Sequence, residues 1–268
     1  MPQRSLPKAS QGSAAWRHWL GRLPRPCVLC SQWDRSNLCG SCRQRFIDAA
    51  VRRCPRCALP NPTGQTCGAC LRQPPPFQHA VAMADYGFPW DRLITRFKFQ
   101  QQPELAGLLA DALAEALRQQ AGLPPVAWVL PVPLSPARLA ERGYNQAWEL
   151  ARRLAGRRGL PARADWLQRL RDTPHQVGLG RQAREANLRD AMWVPPNAQR
   201  QLAGAQVALV DDVMTTGVTA GAATRALLAA AATAQGTTAH LTRFRGTRER
   251  IQRRSAAEAL LAAWQALG

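Results

Sequence analysis

Two adjacent aspartates, Asp211 and Asp212, close the apolar run of "VALVDDVMTTGVTAG", and Thr215, Thr216, Gly217 and Thr219 follow at once. The segment predicts a buried strand, a small hydroxyl-rich loop and a helix start. Backbone N–H groups and the helix dipole at such a start favour a phosphate, threonine hydroxyls add donors, and Gly217 lets the backbone come close. Carboxylates repel that phosphate, so they must hold something else. Vicinal hydroxyls fit, because a carboxylate accepts O–H hydrogen bonds. A ribose carrying a 5-phosphate satisfies both halves. There is no G-x-x-x-x-G-K-[ST] and no G-x-G-x-x-G, which excludes a Walker loop and a dinucleotide fingerprint. An ordinary strand–turn–helix capped by Asp212 explains one aspartate but not the pair beside the threonines.

A second chemistry lies upstream. All eight cysteines fall in four Cys-x-x-Cys units: Cys27/Cys30, Cys39/Cys42, Cys54/Cys57 and Cys67/Cys70. Each unit aims two thiolates at one point, and two units complete a tetrahedral zinc site. Two structural zinc ions are expected. Consecutive pairing, Cys27, Cys30, Cys39 and Cys42 for one ion and Cys54, Cys57, Cys67 and Cys70 for the other, suits the short connections. An interleaved pairing is also open. A disulfide framework requires a secreted chain, and no secretory signal is read. All-cysteine ligation leaves no open position for catalysis.

The chain has 268 residues, with Lys+Arg 36 against Asp+Glu 17, a formal net charge of +19. Such an excess attracts polyanions. Nearly all of it is arginine, Lys8 and Lys98 being the lysines, and an alanine- and arginine-rich coding bias produces the same balance. No apolar run reaches a membrane-spanning length, and the basic N-terminus lacks an apolar core after it. The expected compartment is the cytoplasm.

The elements that must position these residues begin after "LRQPPPFQ", whose three prolines form a stiff linker. Strands are expected at 79–88, 126–134, 187–194, 207–213 and 237–244. Helices are expected from Trp90, over 103–120, over 145–158 from Asn145, and over 219–234. Strands alternating with helices predict an α/β fold with a largely parallel sheet, whose ligands bind beyond the carboxyl ends of the strands. The expected division is a basic tail (1–25), a double zinc ribbon (26–72), the α/β domain (78–246) and a basic, helical tail (247–268). Aromatic residues such as Trp33, Tyr144 and Trp148 are candidates for stacking on bases, or for core packing.

The acidic-pair segment resembles the phosphoribosyl-pyrophosphate (PRPP) loop of type I phosphoribosyltransferases. With "PVPLSPARLAERGYNQA" (131–147), "RDTPHQVGLGRQAREANLRDAM" (171–192) and the paired cysteines, the chain resembles the ComF family, which includes competence protein F and GntX-like proteins. The resemblance covers about residues 27–244. The family's R-x-x-R-G-F-N-Q is matched by Arg138, Arg142, Tyr144, Asn145 and Gln146, with tyrosine for phenylalanine, and its lysine between aromatics by Lys98. It implies a type I phosphoribosyltransferase fold behind a double zinc ribbon, and a cytoplasmic role in natural transformation. The implied ligand is PRPP with Mg²⁺. Asp211 and Asp212 hold the ribose, and Thr215, Thr216, Gly217 and Thr219 hold the 5-phosphate. Arg138, Arg142 and Lys98 serve the phosphates, and residues 171–189 form a lid. Single-stranded DNA and DNA-uptake or helicase/translocase proteins at the membrane are the implied partners. Three activities remain open: phosphoribosyl transfer to an unidentified nitrogen nucleophile, a DNA-handling module, and a PRPP sensor.

Overall fold

The computed structural model describes residues 23–47, 51–170, 191–215, 217–233 and 260–262. By contacts the chain divides between Phe46 and Ile47 into two compact units.

The first unit holds β1 (Arg25–Pro26) paired antiparallel with β2 (Trp33–Asp34), then the short helix α1 (Gly40–Phe46). Its centre is sulfur: Cys27, Cys39 and Cys42 are buried with Leu38.

The second unit begins with the other cysteine group and α2 (Gly68–Arg72). Chain order then gives β3 (Val81–Ala84), α3 (Trp90–Phe99), α4 (Leu105–Gln119), β4 (Trp128–Pro131), α5 (Pro136–Arg142) and α6 (Gln146–Arg158). After these come β5 (Gln168–Arg169), β6 (Met192–Trp193), α7 (Pro196–Leu202), β7 (Val207–Asp211), α8 (Val218–Thr233) and β8 (Leu260–Ala262). The main sheet has the order β3-β8-β7-β4. β4 and β7 are parallel, while β8 is antiparallel to both β7 and β3. So β3, β7 and β4 run one way and β8 alone opposes them. Among the described residues the sheet is therefore mixed rather than largely parallel.

Helical periodicity explains the layer above it. α4 buries Leu105, Leu108, Leu109, Ala112, Leu113 and Leu117, spaced at three and four residues, and packs on α6 and β3. α6 buries Leu150, Ala151 and Leu154 against β4 and β7. Asn145 caps α6 by accepting from the Trp148 N–H, and Gly159 ends it with φ +66°, a left-handed conformation that costs glycine least.

The second cysteine group is tied to this unit by polar contacts. Arg53 Nη1 donates to Asp85 Oδ1 at 2.6 Å, the Ala80 N–H to Pro55 O at 2.8 Å, and Arg56 Nη1 to Phe77 O at 3.2 Å. The Phe77 ring just after the prolines is buried.

Two further expectations differ in the structure. Residues 136–142 form a helix that the sequence reading leaves as loop, because none of its side chains is buried and no apolar period marks it. Leu260–Ala262 form a strand where the alanine-rich tail reads as helix, since their backbone pairs with β3 and β7 on either side. The expected strand at 237–244 and the lid at 171–189 lie outside the described residues.

Candidate metal centres and ligand site

The eight thiols gather into two groups in consecutive order: Cys27, Cys30, Cys39 and Cys42, and Cys54, Cys57, Cys67 and Cys70. Within each group the sulfur atoms lie within 4.8 Å of one another, so the interleaved pairing is excluded. The spacing fits zinc. Tetrahedral Zn–S bonds of about 2.3 Å put sulfurs roughly 3.8 Å apart. Cys30 and Cys39 Sγ are separated by 3.6 Å, and Cys57 and Cys67 Sγ by 3.7 Å.

The two centres share one hydrogen-bond pattern around their first and third cysteines. The Cys27 N–H donates to Gln32 O at 2.8 Å, and the Cys54 N–H to Leu59 O at 2.8 Å. The N–H groups of Ser31 and Ala58 close the turns onto Cys27 O and Cys54 O, and both residues have positive φ, 61° and 53°. The Cys39 N–H points at Cys27 Sγ at 3.4 Å, and the Cys67 N–H at Cys54 Sγ at 3.3 Å. Such donors stabilise thiolates. Burial pushes Cys27 up, but N–H bonds from Cys39, Cys30 and Leu29 together outweigh it and hold the thiol at about 6. The hydrogen bond from Cys57 holds Cys54 at about 4, against the opposing effect of burial. Cys42 is pushed up, chiefly by burial, and Cys57 chiefly by its bond to Cys54. Four sulfurs in each group, with a backbone N–H turned onto Cys27 Sγ in one and Cys54 Sγ in the other, form closed structural zinc sites.

The other site stands at the carboxyl ends of β4 and β7. Pro131 pairs with Val210, and the Val132 N–H donates to Val210 O at 2.7 Å, so both strands end level. From β7 emerge Asp211, half-buried, and Asp212, buried. The Asp212 N–H donates to Asp211 Oδ1 at 2.9 Å. The loop then runs through Thr215, exposed, to Gly217 with φ +74°, whose carbonyl accepts the Gly221 N–H at 3.1 Å as α8 begins. Thr219 is half-buried in the first turn of α8; Thr216 lies outside the described residues.

Three segments converge on this edge. Lys98, from the last turn of α3, places Nζ 2.9 Å from Asp212 Oδ1, with side chains 17% and 10% exposed. The preceding carbonyl, Phe97 O, accepts the Tyr144 hydroxyl, and the two rings lie 5.8 Å apart. The following ring, Phe99, is covered by the Arg142 guanidinium at 5.0 Å. Asn145 Nδ2 donates to Val132 O at 3.2 Å, fixing the arginine-bearing segment to the end of β4. Arg142 Nη1 donates to Gln146 Oε1 at 3.0 Å. Lys98, Asp212 and Arg142 are thus brought to one edge, and Arg138 is half-buried on α5 in the same segment. Of the aromatic stacking candidates, Tyr144 is engaged with Phe97, Trp148 is half-buried in α6, and Trp33 in the first unit is 71% exposed. Phe88 and Phe99, 64% and 61% exposed, escaped the sequence reading. For Phe99 the signal was its place on the polar side of α3's amphipathic pattern; Phe88 lies in the turn before the helix and has no such signal.

The double zinc ribbon domain family matches residues 22–71. The chain is 34% identical to the DNA utilization protein YhgH of Salmonella typhi over 214 residues, covering 78% of this chain and 89% of the relative. It is 35% identical to competence protein F of Haemophilus influenzae over 191 residues, 69% of this chain and 81% of that one. Competence protein ComFC of Bacillus subtilis is 27% identical over 198 residues, 71% and 78% of the two chains.

Proposed function

The chain belongs to the ComF family, and from that membership we propose that it binds PRPP with Mg²⁺ and handles imported single-stranded DNA in the cytoplasm. The proposal includes a type I phosphoribosyltransferase fold for residues 78–246. Relatives named for competence and DNA utilization support the role in DNA uptake. No helix among the described residues is long and apolar enough to cross a membrane.

One observation carries the ligand assignment. The level ends of parallel β4 and β7 set the acidic pair and threonine loop beside the segment bearing Arg138 and Arg142. PRPP needs both halves. Gly217, Thr215, Thr216 and Thr219 at the start of α8 receive the 5-phosphate on backbone and hydroxyl donors. Asp211 and Asp212 accept the ribose hydroxyls. Arg138 and Arg142 meet the pyrophosphate, where a guanidinium binds two oxygens at once. The donor chemistry also suits Mg²⁺, a hard cation that takes carboxylate oxygens. When bound, Mg²⁺ supplies charge neutralisation of the pyrophosphate.

Transfer of the phosphoribosyl group to a nitrogen nucleophile is the catalytic form of the same reading. The cations at the pyrophosphate end favour it, because departure of that group is the step they stabilise. Differential scanning calorimetry of the zinc-loaded chain tests the binding reading. Mg²⁺ with PRPP should raise the midpoint in a concentration-dependent way, as a ligand of the native state must. Mg²⁺ with pyrophosphate alone should do so less. No shift with PRPP contradicts the assignment. Pyrophosphate release from bound PRPP on adding candidate amines separates turnover from binding.

A further inference from the structure

The outward face of α3 carries an unusual stripe. Arg92, Thr95 and Phe99 are exposed on α3 at helical spacing with Arg96 half-buried beside them, and exposed Phe88, in the turn before the helix, meets this face through Arg92. Both rings stand in water at 64% and 61% exposure. Large apolar side chains set singly at the surface are common, but each of these is covered on one face by a guanidinium: Arg92 lies 5.2 Å over Phe88, and Arg142 lies 5.0 Å over Phe99. Phe97, Leu93 and Ile94, on the inward face, are buried, so the exposure of the stripe is not a failure to pack.

We propose that this face is a stacking track for a single-stranded nucleic acid, with bases on Phe88 and Phe99 and phosphates against Arg92 and Arg96. The inference rests on the DNA-handling half of the proposed function and adds the place where the strand binds. Its occupant follows from charge and shape. A ring with a cation on its face accepts a flat π-system nearby, and adjacent guanidiniums supply the phosphate contacts that such a strand requires. α3 is about 15 Å long at 1.5 Å per residue, a span of a few unstacked nucleotides. Duplex DNA buries its bases in the stack and offers no free base face to either ring. The track ends at Phe99, one residue from Lys98 and its partner Asp212, so a strand on it runs to the mouth of the ligand site.

Fluorescence anisotropy of a labelled oligothymidylate on the full, zinc-loaded chain tests the proposal, with a duplex of equal length alongside. Phe99→Ala and the double variant Phe88→Ala with Phe99→Ala should weaken the single strand roughly tenfold for each ring lost, with the salt dependence unchanged. Phe99→Trp should preserve or tighten binding, and Arg92→Gln should instead flatten the salt slope. An unaltered melting temperature in the phenylalanine variants excludes misfolding as the cause. Wild-type-like affinity in the double variant overturns the track while leaving DNA handling intact. Equal affinity for duplex and single strand overturns stacking. A wild-type chain that binds no single strand overturns both the track and the DNA-handling reading.

Discussion

Lys98 Nζ sits 2.9 Å from Asp212 Oδ1, joining the last turn of α3 to the end of β7 at a point nearly shielded from water. Each charge needs the other there, because an unpaired ion in a poorly hydrated place is costly. Lys98→Met should lower stability by about 2–3 kcal/mol in urea titration at fixed zinc. Asp212→Asn should cost less, since the amide still accepts a hydrogen bond from the ammonium. Equal, negligible losses in both variants would show the pair to be incidental.

Gly217 holds φ +74° immediately before α8. A side chain there meets the left-handed penalty, so Gly217→Ala should cost about 1–2 kcal/mol. If the loop cradles a phosphate, the same substitution should weaken PRPP more than its effect on folding explains. Calorimetric titration beside thermal unfolding separates the two effects.

Zinc should be present at two ions per chain by elemental analysis, and Cys27→Ser or Cys54→Ser should each remove one. Cys42 and Cys57 hold their protons more tightly than an ordinary thiol, for the reasons of burial and hydrogen bonding given above. Zinc takes thiolates and must expel those protons, so apparent zinc affinity should rise with pH and fall as the medium is acidified. Competition with a chromogenic chelator across a pH series reads this directly. An affinity independent of pH would contradict the thiol assignments.

The 2.6 Å bond from Arg53 to Asp85 ties the second zinc centre to the segment after β3. Arg53 is almost fully enclosed, so Arg53→Met should destabilise the second unit by about 2 kcal/mol. A double-mutant cycle with Asp85→Asn should recover most of that as coupling, and additive losses would place the effect elsewhere.

Much of this was readable in the sequence because it rests on local signals. Short spacings favour the consecutive thiol pairing, which the sulfur positions then decide, and β7 follows from an apolar run bounded by charge. α6 follows from its Asn145 opening. What was hidden depends on partners distant in the chain. Nothing in "RFKFQ" announces that Lys98 meets Asp212, because that contact exists only once α3 is laid across the end of β7. α5 has no buried side chain and so no apolar period, although Ser135 before Pro136 and Gly143 after Arg142 are the start and stop signals of a short helix. β8 was hidden by its alanine-rich context, which favours helix until two neighbouring strands offer a backbone ladder.

A PRPP site formed by the acidic pair and threonine loop must bind its ligand through Asp211 and Asp212. Isothermal titration of PRPP with Mg²⁺ into the zinc-loaded chain, beside the Asp211→Asn, Asp212→Asn double variant, tests it most directly. The account predicts saturable binding to the wild type and a loss of tenfold or more, at least about 1.4 kcal/mol, in the variant. Undiminished affinity in the variant, or no heat of binding with the wild type, would contradict it.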